Sequence, residues 1–289
     1  MTSCNTMSQS NKKEPEMDVT QLLGYDYRLF ENTLAWDLAK AVRDEKIEEI
    51  KRIAESKKNI LDFQEPRFGN TLLMLAVFNQ NYNSAKALLE LGADPNKHDN
   101  YDGTSPMILS AGIQNRGEDN TKFLKLMLAH GGNPNDEEVG VRRKDNSTRK
   151  TPLLVACSDN LTEVEPMAKV KLLVEAGADI THKNEFDWTA LKEANVGDHF
   201  DVMLYFLERG ADYTSPFYIH PDGKKMYLVD LMRYDEFPLD SKKYADKMKV
   251  VEFLKQKGIN YRSLPIPEEV VRHAKQNYPQ NWKEYLDKY

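Results

Sequence analysis

The residue types that carry out catalysis or bind metals are scattered along this sequence rather than grouped. The six histidines include no pair at His-x-x-x-His spacing, and the two cysteines lie far apart, so no metal-binding pattern is present. The Gly-x-x-x-x-Gly-Lys phosphate loop, the Gly-x-Ser-x-Gly nucleophile elbow and the Gly-x-Gly-x-x-Gly dinucleotide motif are also absent. The sequence therefore predicts a protein that is not an enzyme and uses neither a metal nor a cofactor.

Three reactive side chains have structural interpretations instead. Asp99 and Asp102 lie at a predicted loop tip, where aspartate accepts hydrogen bonds from turn amides. Acid–base catalysis would require burial that shifts their pKa values. Cys157 follows an alanine in a predicted inner helix, and we expect it to be a small buried apolar side chain.

Cys4 permits two interpretations. The segment Thr2-Ser3-Cys4-Asn5 resembles the end of a bacterial lipoprotein signal, but the apolar stretch that should precede it is absent. In the first interpretation Cys4 is lipidated and the protein is membrane-anchored or periplasmic. In the second, Cys4 belongs to an ordinary polar tail of a cytoplasmic protein.

The elements that must position any functional residue are clearest in residues 69–96. Thr71 is suited to cap the start of a short apolar helix. A second helix follows, with apolar residues at i, i+3 and i+4 on one face. Gly92 is suited to end it, because glycine readily adopts a positive φ at a helix C-terminus. Such a helix pair is too small to bury its apolar face alone, so it must stack on further copies.

The chain supplies those copies. They begin at Ser105, Thr151, Thr189 and Tyr227 and end at Gly131, Gly177, Gly210 and Gly258. Through these Thr-Pro-Leu-like starts and Gly-Ala-Asp-like stops, the sequence resembles the ankyrin repeat family over residues 35–262. The resemblance implies an all-α solenoid of stacked helix-turn-helix units with hairpin loops.

The sequence departs from the ankyrin motif at its histidine. Other residues stand there in every copy, namely Met74, Ile108, Leu154 and Lys192. In the family this histidine ties adjacent loops together, so we expect looser hairpin loops in this chain.

The expected organisation has three parts. Residues 1–18 are polar and aperiodic and are expected to be disordered. Residues 19–262 form the array, and two predicted helices in 263–289 form a C-terminal cap. Within the array, a capping repeat at 34–67 precedes repeats at 68–101, 102–147, 148–185, 186–223 and 224–262.

Irregular spacing between the repeats predicts where loops are inserted. Extra residues fall between paired helices at 114–120, 158–166 and 233–246. Two long hairpin loops lie at 136–149 and 215–224, and the second contains Pro-Asp-Gly, which predicts a turn between two short strands. Insertions in repeat proteins map to loops, often on the binding face.

The composition excludes two classes of function. The net charge of −6 argues against a general nucleic-acid-binding protein. No apolar run approaches the roughly 18–20 residues that span a membrane.

Two sets of residues are candidate contacts for a protein partner. In an ankyrin-like register, inner-helix residues face a concave groove, and in the first two full repeats this face is mostly apolar and includes Leu75, Phe78, Asn79, Leu109 and Ile113. Aromatic residues of the hairpins are the second set: Tyr101, Trp188, Phe217 and Tyr218. Alternatively, the N-terminal segment or the helix–helix loops cover the groove, and Phe217 and Tyr218 pack against the next repeat.

These features predict a protein-binding module, expected to be monomeric, that holds a partner in its groove and hairpin loops. One alternative is an inhibitor or immunity-type regulator that blocks a specific enzyme with the same groove. A second is an enzyme with a site on the long hairpins near Arg142 or His220. A purely structural spacer is a third.

Overall fold

The computed structural model describes residues 21–57, 59–113, 119–141, 149–158 and 166–289. Within them the chain forms successive helix pairs and one short β-hairpin. The helices are α1 (Trp36–Arg43), α2 (Ile47–Ser56), α3 (Leu72–Phe78), α4 (Tyr82–Glu90), α5 (Pro106–Gly112), α6 (Lys122–Ala129), α7 (Pro152–Cys157), α8 (Met167–Glu175), α9 (Ala190–Val196), α10 (Phe200–Glu208), α11 (Leu228–Leu231), α12 (Lys242–Gln256), α13 (Glu268–Asn277) and α14 (Trp282–Lys288). The antiparallel strands are β1 (Tyr218–Ile219) and β2 (Lys225–Met226).

The helices stack in two layers. The first helices of successive pairs contact one another from α1 through α3, α5 and α7 to α9, and form the inner layer. The second helices form the outer layer, in which α2 contacts α4, α4 contacts α6, α8 contacts α10 and α10 contacts α12. The fold is therefore an all-α solenoid, as the sequence predicts. None of the helices in the described residues is long and apolar enough to cross a membrane.

Local chemistry at the repeat starts fixes the inner helices. The hydroxyls of Thr71, Ser105, Thr151 and Thr189 each accept a hydrogen bond from the amide three residues later, at 3.2–3.3 Å. The N-cap predicted at Thr71 is confirmed and recurs in three further repeats, because a Ser or Thr hydroxyl satisfies an otherwise unpaired amide of the first turn. At the start of α11 the Asp230 carboxylate instead accepts from the Tyr227 amide, at 2.9 Å.

One apolar core runs along the stack. It extends from Leu22 to Tyr261, and the largest fully buried apolar side chains within it include Phe30, Phe123 and Phe206. A second, smaller cluster lies under α13 and α14. There the Tyr289 hydroxyl donates to the Arg233 carbonyl at 2.5 Å, so the last helices are tied to the loop after α11.

Candidate protein-binding groove

The concave side of the first three full repeats contains a groove of about 600 Å³. Its walls come from the inner helices α3, α5 and α7 and from the hairpin loops before them. The residues that give it apolar character are Tyr25, Phe68, Phe78, Tyr101, Leu109, Ile113 and Val155. The groove is therefore a continuous, mostly apolar surface that crosses three repeats.

The structure distributes the five predicted inner-helix residues over three roles. Leu109 and Ile113 are half-buried and line the groove, as expected. Phe78 is 44% exposed and lines its N-terminal end. Leu75 is only 1% exposed, so it supports the floor from below and offers little surface to a partner. The Asn79 side chain donates to the Tyr25 carbonyl at 2.9 Å and faces the N-terminal segment.

The hairpin aromatics divide between the groove and other positions. Tyr101 is 42% exposed and forms part of the groove wall, where its ring packs edge-on against Phe68. Trp188 is half-buried, and its indole N–H donates to Glu193 Oε2 at 2.6 Å. Phe217 is buried, whereas Tyr218 of β1 is half exposed. The packing alternative therefore holds for Phe217, and the predicted strand hairpin is confirmed.

Buried carboxylates hold the groove-side hairpins in shape. Asp99 Oδ1 accepts hydrogen bonds from the amides of Tyr101, Asp102 and Gly103 at 2.7–3.0 Å. This is the turn role predicted for Asp99, and burial raises the pKa of its carboxyl group. Glu138 acts similarly in the next hairpin, where it accepts from the Lys150 amide at 3.1 Å.

Two hairpins meet at a pair of glycines beside the groove. The amides of Val139 and Gly140 donate to the carbonyls of Gly103 and Asp102, at 3.1 and 3.2 Å. Gly103 has a φ of +68°, and a Cβ atom there would lie 1.8 Å from the Gly140 nitrogen. Only glycine fits such an approach, because any other residue would collide with the neighbouring backbone.

Arg149 extends this connection to a third hairpin. Its guanidinium donates to the carbonyls of Glu138 and Gly140 at 3.1 and 2.5 Å, and to the Glu185 carboxylate at 3.1 Å. The hairpins are thus joined by hydrogen bonds although the family's histidine is absent.

Hydrogen bonds from asparagine side chains, here called the asparagine ladder, also join successive repeats at the start of each hairpin. Asn96 Nδ2 donates to the Gly131 carbonyl at 2.9 Å, and its Oδ1 accepts from the Asn133 amide at 2.7 Å. Asn135 repeats both contacts one unit later, with the Gly177 carbonyl and the Asp179 amide. Sequence reasoning missed this role, although the asparagine after each Gly-x-x-Pro segment was a visible signal.

A serine, a histidine and an aspartate also meet in the structure without forming a catalytic triad. The Asp136 carboxylate accepts from the Ser105 hydroxyl and lies 2.9 Å from His98 Nε2. Ser105 is fully buried and caps α5, so its hydroxyl faces no cavity. The three residues connect two repeats, and their arrangement gives no nucleophile exposed to a substrate.

The remaining chemical candidates give no reactive centre in the part of the chain that the structure describes. No group of three or more His, Cys, Asp or Glu residues is arranged to hold a metal ion there. Cys157 is completely buried, and burial raises the pKa of its thiol. His220 is exposed beside Asp222 at the tip of the strand hairpin. Cys4 and Arg142 lie outside the described residues.

Comparison with known proteins agrees with this architecture. The family model described as ankyrin repeats in three copies matches residues 112–216, and the model for a single ankyrin repeat matches residues 68–100. The crystal structure of EF0377, an ankyrin repeat protein, covers 75% of this chain and 96% of its own, with 25% identity and a TM-score of 0.50.

Curated relatives share a shorter segment. Notch-regulated ankyrin repeat-containing protein A of Danio rerio is 48% identical over 46 residues, and its counterpart in Xenopus tropicalis matches equally. These 46 residues are 16% of this chain, and they span only 40% of the length of each relative. The repeated helix pairs, the two family matches and the structural neighbour together show that this chain carries ankyrin repeats, matched at residues 68–100 and 112–216, in an all-α ankyrin-type solenoid.

Proposed function

We propose that this chain is a protein-binding module that holds one protein partner in the groove across α3, α5 and α7. Ankyrin repeats generally mediate protein–protein interaction, and the proposal assigns that role to a particular surface. The observation that carries it is the continuity of half-exposed apolar side chains along the groove, from Phe78 through Tyr101 to Ile113. Contiguous exposed apolar surface of this kind usually marks an interaction site.

The rigidity of the groove supports the proposal. Its hairpins are fixed by Asp99, by the contact between Gly103 and Gly140, and by the three hydrogen bonds of Arg149. A surface held in this way loses little conformational freedom when a partner docks, so more of the contact energy appears as affinity.

The test is affinity capture from native cells with matched baits. The wild-type chain is compared with a Tyr101→Ala, Ile113→Asp double variant and with Val196→Asp. Val196 is an exposed aliphatic residue of the inner helix α9 outside the groove, so it controls for adding a charge to the inner layer. Circular dichroism confirms that all three baits are folded.

We expect wild type and Val196→Asp to capture the same protein and the double variant to lose it. Equal capture by all three baits would refute the groove assignment. If the captured protein is an enzyme whose activity falls on one-to-one binding, the chain is an inhibitor rather than a scaffold.

Lipidation of Cys4 remains a separate hypothesis. Mass spectrometry of the N-terminal peptide from native cells tests it, and detection of only unmodified Cys4 would contradict it.

A further inference from the structure

A short segment of the chain itself occupies the N-terminal end of the groove. Residues 22–25, here called the strap, cross the inner face of the first full repeat before the chain enters the 3-10 turn Tyr27–Phe30. The Leu23 carbonyl accepts from the Asp26 amide at 3.0 Å, so the strap ends in a tight turn. The strap is not part of a helix pair.

Three side chains, one from the last residue of the capping repeat and two from the first full repeat, bind the strap through its main chain. Arg67 Nη1 donates to the Leu22 carbonyl at 2.8 Å, Asn70 Nδ2 to the Gly24 carbonyl at 2.8 Å, and Asn79 Nδ2 to the Tyr25 carbonyl at 2.9 Å. Main-chain carbonyls are common to all peptides. These three donors therefore select a backbone geometry rather than a sequence.

One side-chain contact adds chemical selectivity. The rings of Tyr25 and Phe78 stack with centroids 4.5 Å apart and planes 7° from parallel. Both rings line the groove, and Tyr25 is still 40% exposed and Phe78 44% exposed. Stacked aromatic pairs contribute beyond their buried area, so an aromatic ring is favoured on Phe78 whichever chain supplies it.

Exposure along the strap shows that its aromatic contact is separable from the folded core. Tyr27, which follows the strap, is buried and its hydroxyl donates to Asn81 Oδ1 at 2.7 Å. Within the strap Leu22 is also buried, whereas Leu23 is 57% exposed and Tyr25 40% exposed. Release of residues 23–25 would leave the Leu22 and Tyr27 anchors in place and would uncover Phe78, Asn70 and Asn79.

We propose that the strap is an internal ligand of a peptide-binding subsite formed by Arg67, Asn70, Phe78 and Asn79. The partner that fits the subsite is a peptide turn with an aromatic residue, whose ring replaces that of Tyr25 on Phe78. This inference rests on the proposed protein-binding function and names the chemistry of the segment recognised. The strap is tethered beside its site, so its own effective concentration there is high, in the millimolar range for short flexible linkers. A partner must displace the strap against this concentration.

The experiment adds the strap back as a separate molecule. The full-length chain is labelled with nitrogen-15 and carries Tyr25→Ala, which removes an exposed ring and no core residue. It is titrated to millimolar concentration with a capped peptide of the sequence of residues 21–26, and the side-chain amide signals of Asn70 and Asn79 are followed by NMR. The matched control peptide has alanine in place of the tyrosine.

The natural peptide is expected to shift both signals in the Tyr25→Ala chain, and the alanine peptide, which keeps the carbonyls but lacks the ring, is expected to shift them much less at the same concentration. Wild-type protein should require about tenfold more peptide for the same shift, because its own strap competes. A Phe78→Ala, Tyr25→Ala chain should not respond. Equal responses to both peptides, or no response to either, would overturn the inference.

These outcomes are independent of partner capture. A negative titration with successful capture removes only the strap inference. A positive titration with capture unaffected by the groove variants removes the proposed function and leaves the subsite.

Discussion

Replacement of Gly103 by alanine is expected to separate two hairpins that form the groove wall. The new Cβ would lie 1.8 Å from the nitrogen and 2.6 Å from the Cα of Gly140. Both atoms belong to the backbone, so the collision cannot be relieved by rotating a side chain. The hairpins must move apart, and the hydrogen bonds from Val139 and Gly140 must lengthen or break.

The expected cost has three contributions. A left-handed φ costs a non-glycine residue about 1–2 kcal/mol. Overpacking against a fixed neighbour adds about 1–3 kcal/mol, and each weakened hydrogen bond adds about 1 kcal/mol. We therefore expect Gly103→Ala to lower the free energy of unfolding by about 3 kcal/mol or more.

Gly92→Ala is the matched control. Gly92 also has a positive φ, +98°, but apart from its own residue and its two chain neighbours no heavy atom lies within 4 Å of the position its Cβ would take. This variant carries only the conformational penalty, about 1–2 kcal/mol. The difference between the two variants therefore isolates the contact between the hairpins.

Urea unfolding followed by circular dichroism gives the global effect. Hydrogen exchange gives the local one, because separate parts of a repeat protein open with different free energies. The Val139 and Gly140 amides should lose protection in Gly103→Ala and keep it in Gly92→Ala. The reasoning is refuted if the two variants lose equal stability and both amides stay protected.

Three further predictions concern buried or hydrogen-bonded groups. Hydrogen bonds from Ser215 and Thr214 lower the pKa of the Asp212 carboxyl group in the native state. The ionised carboxylate therefore stabilises the fold above its unfolded pKa, and this stabilisation is lost as the pH falls through the lower native pKa. In Asp212→Asn the free energy of unfolding should therefore fall less than in the wild type between about pH 4 and pH 2. Urea unfolding at a series of pH values measures this, and the same fall in both proteins would count against the prediction. Lys169 is buried, and its ammonium group donates to two main-chain carbonyls at the end of α5. Lys169→Met should therefore lower the free energy of unfolding, measured in urea, by about 1–3 kcal/mol. A variant as stable as the wild type would contradict this role. Cys157 is buried, so in a Cys4→Ser variant its thiol should react with a thiol reagent in 6 M urea but not in the native protein. Rapid labelling of the native protein would show instead that the thiol is accessible.

The local features of the fold were predictable because their causes lie within a few residues. Thr71 caps α3 through an amide three residues away, and Gly92 ends α4 through its own φ. Pro-Asp-Gly similarly specifies the turn between β1 and β2 without help from the rest of the chain. Five repetitions of such local signals were enough to identify the solenoid.

Features that depend on how the repeats stack were not predictable in detail. Leu75 has the position of a groove residue along its own helix, but neighbouring elements bury it. The asparagine ladder through Asn96 and Asn135 appears only when successive repeats are placed side by side. For the strap, the sequence left open that the N-terminal segment covers the groove, but the stacking of Tyr25 on Phe78 joins residues far apart in sequence and was not predictable.

The most direct test of the groove as a partner-binding surface is site-specific photo-crosslinking in native cells. A photoreactive phenylalanine analogue replaces Tyr101 in one experiment and Tyr234 in the other. The two tyrosines are similarly exposed, at 42% and 45%, but only Tyr101 lines the groove. The proposal predicts a covalent adduct with one protein from position 101 and none from position 234. Adducts of equal yield from both positions, or from position 234 alone, would contradict it.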